Sequence, residues 1–249
     1  MKIAAIWGKV MQRFGLLIVL VLVYVLSQVA LNRPATVQWV TLDEPRGYRM
    51  AVGPGQSAAV FDPLAGIDAA RPDARLTANE VCELLGPIDA DGSVEVVYFA
   101  DFFCPNCREL DRLLARLAVA GAITVDRREW PILGPASEFA ARGYLAAQAQ
   151  GAGEEFLARL SRAQFVPNES YLRSLAASID LDADRLIVDM YGDTVDETLS
   201  INRDLARFFG LYATPSMVIG NSIVAGTLEQ DMLEQIVEES GGQNCPPNG

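Results

Sequence analysis

The sequence VVYFADFFCPNC, residues 96–107, joins an apolar run to a Cys-x-x-Cys pair, and an amphipathic pattern follows directly. The run predicts a buried strand, and the pattern after it predicts a helix that begins at the cysteines. Cys104 then lies at a helix N-terminus, where unpaired backbone N–H groups and the helix dipole favour a thiolate. A thiolate beside a second thiol can exchange disulfides.

The predicted helix orients the two cysteines differently. Pro105 suits the first helical position because it lacks an N–H group and has a fixed φ. Gly121 ends the helix. One face of this helix carries Cys107 together with Leu110, Leu114 and Leu117. We therefore expect Cys104 at an exposed tip, attacking substrates, and Cys107 facing inward, resolving the mixed disulfide.

Two other uses of the pair are half of a zinc site and a structural disulfide. A structural zinc site needs four ligands. The chain has no histidine, and its other cysteines, Cys82 and Cys245, do not form a second pair, so we expect no bound metal. A structural disulfide across so short a loop at a helix start would be strained.

The N-terminus predicts a membrane anchor. Residues 14–31 carry no charge and would form a helix about 27 Å long, against a hydrocarbon core of about 30 Å. Lys2, Lys9 and Arg13 precede this run and Arg33 follows it, which predicts a cytoplasmic segment 1–13 and an exported remainder. A cleaved signal peptide and a buried core helix are the alternatives, but the residues before Leu31 make a poor cleavage site.

The predicted exported part is strongly acidic. Four of the 20 basic residues lie at or before Arg33, which leaves 16 arginines against 32 acids, a net charge of −16. This charge repels nucleic acid and anionic membrane surfaces, so we expect neither as a partner.

The rest of the chain divides into three parts. We predict a stalk over 32–85 with short elements, including a helix that opens with the capping box Thr77-Ala78-Asn79-Glu80. A domain over 86–240 and a tail over 241–249 follow. In the domain, a β-α-β unit ends with the strand 123–128, and helical periodicity over about 135–209 predicts four or five helices, with Asn168 and Asp193 as N-caps. A hairpin, 216–219 and 222–225, precedes a last helix, 228–239.

This order of elements resembles the DsbA-like branch of the thioredoxin superfamily. Three segments carry the resemblance: residues 99–107, Trp130-Pro131-Ile132-Leu133-Gly134, and Ala213-Thr214-Pro215-Ser216. The resemblance implies an α/β thioredoxin fold with an inserted helical subdomain, here preceded by a transmembrane helix.

The resemblance also implies a cis peptide bond at Thr214-Pro215, facing Cys104. Such a proline would turn the Thr214 backbone towards the sulfurs, where an extended substrate can pair as an added strand. An ordinary strand-entry proline is the alternative. Trp130, Phe139 and Tyr144 are interpreted as core or groove wall rather than as a cofactor site.

Two positions depart from the family pattern. Strong oxidants of the family have histidine between the cysteines, whereas Asn106 is neutral, so we expect a less stabilised thiolate and a weaker oxidant. Many relatives keep a buried acid six residues before the first cysteine, and here that residue is Tyr98. Asp101 is a candidate modulator of Cys107, or else a loop residue that bonds local backbone.

The remaining cysteines predict a structural disulfide. An exported chain with an even number of cysteines is expected to pair them, which joins Cys82 to Cys245. A free or intermolecular thiol at Cys245 is the alternative.

These observations predict a membrane-anchored thiol:disulfide oxidoreductase without a cofactor, with its catalytic domain in the periplasm and its anchor in the inner membrane. Its partners would be extracytoplasmic proteins with cysteines and a membrane redox partner that recycles it. We expect an oxidant rather than a reductant. The alternatives are a reductase or isomerase with a membrane electron donor, a Cu(I)-binding thiol protein, and a purely structural anchor protein.

Overall fold

The computed structural model describes residues 15, 18–24, 27, 37–52, 76–85, 93–163 and 165–240. The chain forms two compact units, Met1–Thr36 and Val37–Gly249. Within the described part of the first unit, residues 18–24 are helical. None of the helices in the described residues has both the length and the apolar character needed to cross a bilayer. Half of the predicted anchor, residues 14–31, lies outside the described residues.

In its described residues, the second unit contains a mixed six-stranded sheet in the order β1-β2-β6-β5-β3-β4. Strand β3 is parallel to β4 and antiparallel to β5, and β2 is parallel to β6. The strands are β1 (Gln38–Thr41), β2 (Arg49–Val52), β3 (Val94–Ala100), β4 (Ile123–Glu129), β5 (Ser216–Ile219) and β6 (Ser222–Ala225).

Helices cover the sheet and extend beyond it. In the second unit, the described residues contain α1 (Ala78–Leu85), α2 (Pro105–Val119), α3 (Pro135–Ala149), α4 (Gly153–Leu160), α5 (Glu169–Ala177), α6 (Ala183–Met190), α7 (Asp193–Phe208) and α8 (Gln230–Glu239). Five of these, α3 to α7, form the helical insertion between β4 and β5, as the periodicity predicts.

Strand β3 is the centre of the core because both of its faces are covered. Val97 and Phe99 pack in one cluster with residues of α1 and α7. Tyr98 points to the other face, where its hydroxyl reaches the first turn of α2. Residues 96–100 of this strand are buried, which explains why they form a continuous apolar run rather than an alternating one.

The helical insertion has its own apolar cluster, which also includes a residue of the loop after β3. Phe156, Leu172 and Leu186 are fully buried there, and Phe102 from the loop after β3 joins them. The insertion therefore packs against the segment that carries the cysteines.

Residues predicted as a stalk belong in part to the folded unit. Strands β1 and β2 extend the sheet, and α1 buries Val81 and Leu85 in the cluster beneath β3. The compact unit begins at Val37 rather than at residue 86, because these short elements cover a sheet edge and a face that would otherwise be exposed. Three smaller boundaries also differ: β4 continues to Glu129, α8 begins at Gln230, and the N-cap of α7 is Gly192.

Candidate active site

Cys104 is the N-cap of α2, as predicted. Its backbone is extended, with φ −72° and ψ 116°, and Pro105 follows in the first turn. The backbone N–H of Cys107 donates a hydrogen bond to Cys104 Sγ over 3.3 Å. A backbone N–H group at the helix N-terminus is therefore directed at this sulfur.

The Thr214-Pro215 peptide bond is cis, and it lies against the cysteines. The Cys104 thiol donates to the Thr214 carbonyl over 3.3 Å. The two residues are 110 positions apart, so the β5 end of the sheet places this loop beside the start of α2. The resemblance predicted this juxtaposition.

The predicted exposure of Cys104 is wrong. Only 4% of its surface is accessible, and Cys107 is 1% exposed. Contact with the Thr214 segment covers the first sulfur, which the sequence of α2 alone could not reveal. Both cysteines are free thiols in this structure. A molecule that reacts with Cys104 must therefore fit closely against the Thr214 segment.

Burial raises the pKa of the Cys107 thiol to about 12. A backbone hydrogen bond from Asp101 and a side-chain hydrogen bond from Tyr98 lower this pKa, whereas Cys104 raises it further. Desolvation dominates, so Cys107 keeps its proton at neutral pH. Cys107 therefore carries negative charge only when its surroundings change or when it is the leaving group of a disulfide exchange.

The Asp101 carboxylate accepts hydrogen bonds from three residues. It is 1% exposed and accepts from the N–H of Phe103 over 2.8 Å, the N–H of Leu133 over 2.9 Å, and the Ser137 hydroxyl over 2.7 Å. The predicted hydrogen bonding to local backbone is therefore only part of what Asp101 does. Its carboxylate fixes the cysteine loop to the first turn of α3 and the residues before it, while its backbone hydrogen-bonds to Cys107.

A buried ionic group beneath the site was not predicted. Arg127 on β4 forms ion pairs with Asp111 of α2 and with Glu129. Its Nε lies 2.7 Å from Glu129 Oε1. The guanidinium carbon of Arg127 lies 5.4 Å from the centroid of the Tyr98 ring. The signal in the sequence was the i, i+2 spacing of two charges in a strand, which places Arg127 and Glu129 on one face.

The aromatic residues singled out from the sequence lie in cores. Trp130 contacts Phe99 edge-to-face with ring centroids 6.3 Å apart, and Phe139 packs against the helical cluster. Tyr144 is 2% exposed and donates to Glu154 over 3.4 Å.

The other predicted sites are described only in part. Cys82 is disulfide-bonded. Its predicted partner, Cys245, lies outside the described residues, so the pairing stays a prediction. Within the described ranges, no three His, Cys, Asp or Glu side chains are grouped so that they could hold a metal ion.

Disulfide exchange needs one sulfur that can be ionised, a second thiol beside it, and a backbone edge that positions the substrate. The start of α2 carries two neighbouring sulfurs, and the cis Thr214-Pro215 segment lies beside them on a thioredoxin-like sheet. Such a fold and site define the thiol:disulfide oxidoreductases of the thioredoxin superfamily.

Comparison with known proteins gives the family. The model of the DsbA-like thioredoxin domain matches residues 95–238, and the chain belongs to this family. It is a DsbA-like thiol:disulfide oxidoreductase. A search of curated protein sequences found no match.

Several solved structures are similar. A thioredoxin-like oxidoreductase from Silicibacter pomeroyi DSS-3 is 35% identical, with 61% of this chain and 90% of that chain covered and a TM-score of 0.56. The thiol-disulfide exchange protein alpha-DsbA2 from Wolbachia pipientis is 25% identical, covering 74% and 99%, with a TM-score of 0.57. The catalytic domain of Proteus mirabilis ScsC is 26% identical, covering 72% and 97%, with a TM-score of 0.53.

Proposed function

We propose that this protein is an exported, membrane-anchored oxidant that transfers its Cys104–Cys107 disulfide to cysteine-containing proteins. The observation that carries the proposal is the 3.3 Å contact between Cys104 Sγ and the Thr214 carbonyl, beside Pro215. This contact puts the attacked sulfur next to a backbone edge on which an extended client can pair.

The reaction proceeds in two exchanges. A client thiolate attacks Cys104 Sγ, the bond between the two cysteine sulfurs breaks, and its electron pair goes to Cys107 Sγ, which takes up a proton. A second client thiolate then attacks the client sulfur of the mixed disulfide and releases Cys104 as a thiolate. The client loses two electrons and the protein gains them.

The surroundings of Cys107 support oxidation. The Cys107 thiol has a pKa of about 12, so it is a slow nucleophile at neutral pH and returns slowly to the mixed disulfide. The Asp101 carboxylate, three residues before Cys104, already accepts three hydrogen bonds and is occupied. A client thiol therefore competes well to resolve the mixed disulfide.

Further roles in the site follow from position. Thr214 and Pro215 form the client-binding edge. Pro105 starts the helix that favours the thiolate, Asn106 adds no charge to it, and Asp101 holds the loop in place.

The N-terminal sequence and the disulfide at Cys82 support export. The uncharged run 14–31 follows three basic residues, which favours a single inner-membrane anchor with the catalytic unit in the periplasm. Disulfides such as that of Cys82 persist in oxidising compartments. Cys245 is the proposed partner, because Cys104 and Cys107 are free and the chain has four cysteines. A membrane redox partner would reoxidise the active site, and no nucleic acid is involved.

Oxidative refolding tests this function. The oxidised full chain, in detergent, is mixed with a reduced client protein, and disulfide formation and the reduction potential are measured. We expect the wild type to introduce disulfides and a Cys104→Ala variant to introduce none. Insulin reduction with a potential near that of thioredoxin would instead establish the reductase. Stoichiometric Cu(I) binding without any exchange would establish a copper protein.

A further inference from the structure

Tyr98 occupies the position where many relatives keep a buried acid, and its hydroxyl is directed at Cys107. The side chain is 1% exposed and donates to the Cys107 carbonyl over 3.1 Å. The hydroxyl also interacts with the Cys107 side chain, an interaction that lowers the pKa of that thiol. The O–H donates to the carbonyl in this structure, and rotation about the phenol C–O bond redirects it to the sulfur of the same residue.

A carboxylate and a phenol act in opposite ways at this position. A carboxylate accepts a proton and so converts the thiol into a nucleophile. A phenol that keeps its proton can only donate, and so stabilises a thiolate that has just formed. Burial raises the pKa of Tyr98 well above its ordinary value, so the hydroxyl keeps its proton.

We propose that the Tyr98 hydroxyl donates a hydrogen bond to Cys107 Sγ when this sulfur leaves, and thereby accelerates disulfide exchange at Cys104. This inference rests on the proposed function, in which Cys107 is the leaving group. As the client thiolate bonds to Cys104, negative charge appears on Cys107 Sγ, and the O–H turns from the carbonyl to the sulfur. The backbone of Asp101 supplies a second hydrogen bond to this sulfur.

Arg127 is a positioning residue for this donor. Its guanidinium carbon lies 5.4 Å from the Tyr98 ring centroid, and two carboxylates, Asp111 and Glu129, hold it there. In the described residues, two titratable groups, Cys104 and Tyr98, act directly on the Cys107 sulfur. The charged groups around these two are Arg127, Asp111, Glu129 and Asp101.

The interaction belongs mainly to the transition state. At neutral pH the product Cys107 is a thiol rather than a thiolate, so the free energies of the oxidised and reduced proteins depend little on the donor. A group that stabilises only the transition state changes the rates in both directions equally and leaves the equilibrium unchanged. A merely structural residue would not give this pattern.

Tyr98→Phe and Tyr144→Phe form a matched pair for the test. Tyr144 is also buried, and the guanidinium carbon of Arg127 lies 5.8 Å from the centroid of the Tyr144 ring. The Tyr144 hydroxyl, however, donates to Glu154. In the full chain we measure the rates of client oxidation and of the reverse reaction, the reduction potential at pH 7, and alkylation of Cys107 between pH 9 and 11.

We expect Tyr98→Phe to slow exchange about tenfold in both directions, the equivalent of about 1.4 kcal/mol. Its potential stays unchanged, and its Cys107 alkylates more slowly than in the wild type. Tyr144→Phe keeps wild-type values. Equal rates for wild type and Tyr98→Phe, or an equal loss in Tyr144→Phe, would overturn the inference.

The alkylation measurement separates this inference from the proposed function. A wild type that exchanges no disulfides would refute the function, whereas slower alkylation of Cys107 in Tyr98→Phe would still establish the donor. Unchanged alkylation, in an active wild type, would refute the donor alone.

Discussion

At the scale of single residues, Glu129 is a carboxyl group that the fold buries beside one cation. Its side chain is 1% exposed, and Oε1 accepts from Arg127 Nε over 2.7 Å. In the described structure Oε2 is buried without a hydrogen-bond partner. Burial raises the pKa of Glu129 above its ordinary value of 4.5, although the Arg127 charge opposes the shift. The folded protein therefore holds this proton at a pH where the unfolded chain has released it.

This raised pKa makes stability depend on pH. Above pH 4.5 the folded state binds more protons at Glu129 than the unfolded state does, so the free energy of unfolding falls as the pH rises towards the folded pKa. The Glu129→Gln substitution removes this decrease in the free energy of unfolding. We expect the free energy of unfolding of the wild type, relative to that of the variant, to decrease with rising pH by at most about 1.4 kcal/mol per pH unit.

Denaturant unfolding at a series of pH values measures this difference. Glu138→Gln is the control, because Glu138 is a half-exposed carboxylate of α3 that pairs with Arg142. A constant offset between wild type and Glu129→Gln across the series would show that Glu129 does not titrate differently on folding.

At the scale of elements, α2 attaches the reactive cysteine to the core through its apolar face. Leu110 and Leu114 are each 2% exposed, whereas Val119 at the end of the same helix is 91% exposed. The buried face fixes the rotation of the helix and thus where Cys107 points.

Leu114→Ala should lower the free energy of unfolding by about 2–5 kcal/mol, because it removes buried methyl groups and leaves a cavity under α2. Val119→Ala, on the same helix, should change it by no more than about 0.5 kcal/mol. Urea unfolding of both reduced variants provides the comparison. Similar effects of the two substitutions would contradict the assigned face of α2.

Local signals predicted most of the elements but not how distant ones meet. The β3-α2-β4 unit follows from apolar periodicity, and Asn168 caps α5 through the N–H of Tyr171, as its side chain suggested. The exposure predicted for Cys104 uses only the periodicity of α2, whereas the segment that covers this sulfur, at Thr214, lies 110 residues further along the chain. The Tyr98 contact was missed because an aromatic residue in a buried strand is ordinarily only a core residue.

At the scale of the whole molecule, the sheet is wider than the periodicity indicated. Strand β2 pairs with β6 through Arg49 and Ser222, which are 173 residues apart. A four-residue strand carries no local information about such a partner, and its register depends on the finished core. The periodicity therefore predicts a stalk outside the domain, whereas β1 and β2 from this segment help to complete its sheet.

Both the acidic net charge and the cysteine site lie after the predicted anchor, residues 14–31, in the sequence. The acidic net charge lies after Arg33, and the cysteine site lies within Val37–Gly249. Exchange chemistry can therefore be tested independently of where the protein resides.

Trapping of mixed disulfides in a Cys107→Ala variant tests the central claim most directly. Without its second thiol, Cys104 should retain clients, and non-reducing gels followed by mass spectrometry should show reductant-sensitive adducts at Cys104. The matched Cys104→Ala variant should capture none, because Cys107 is buried and protonated at neutral pH. Adducts of equal yield in both variants, or in neither, would contradict an exchange reaction through Cys104.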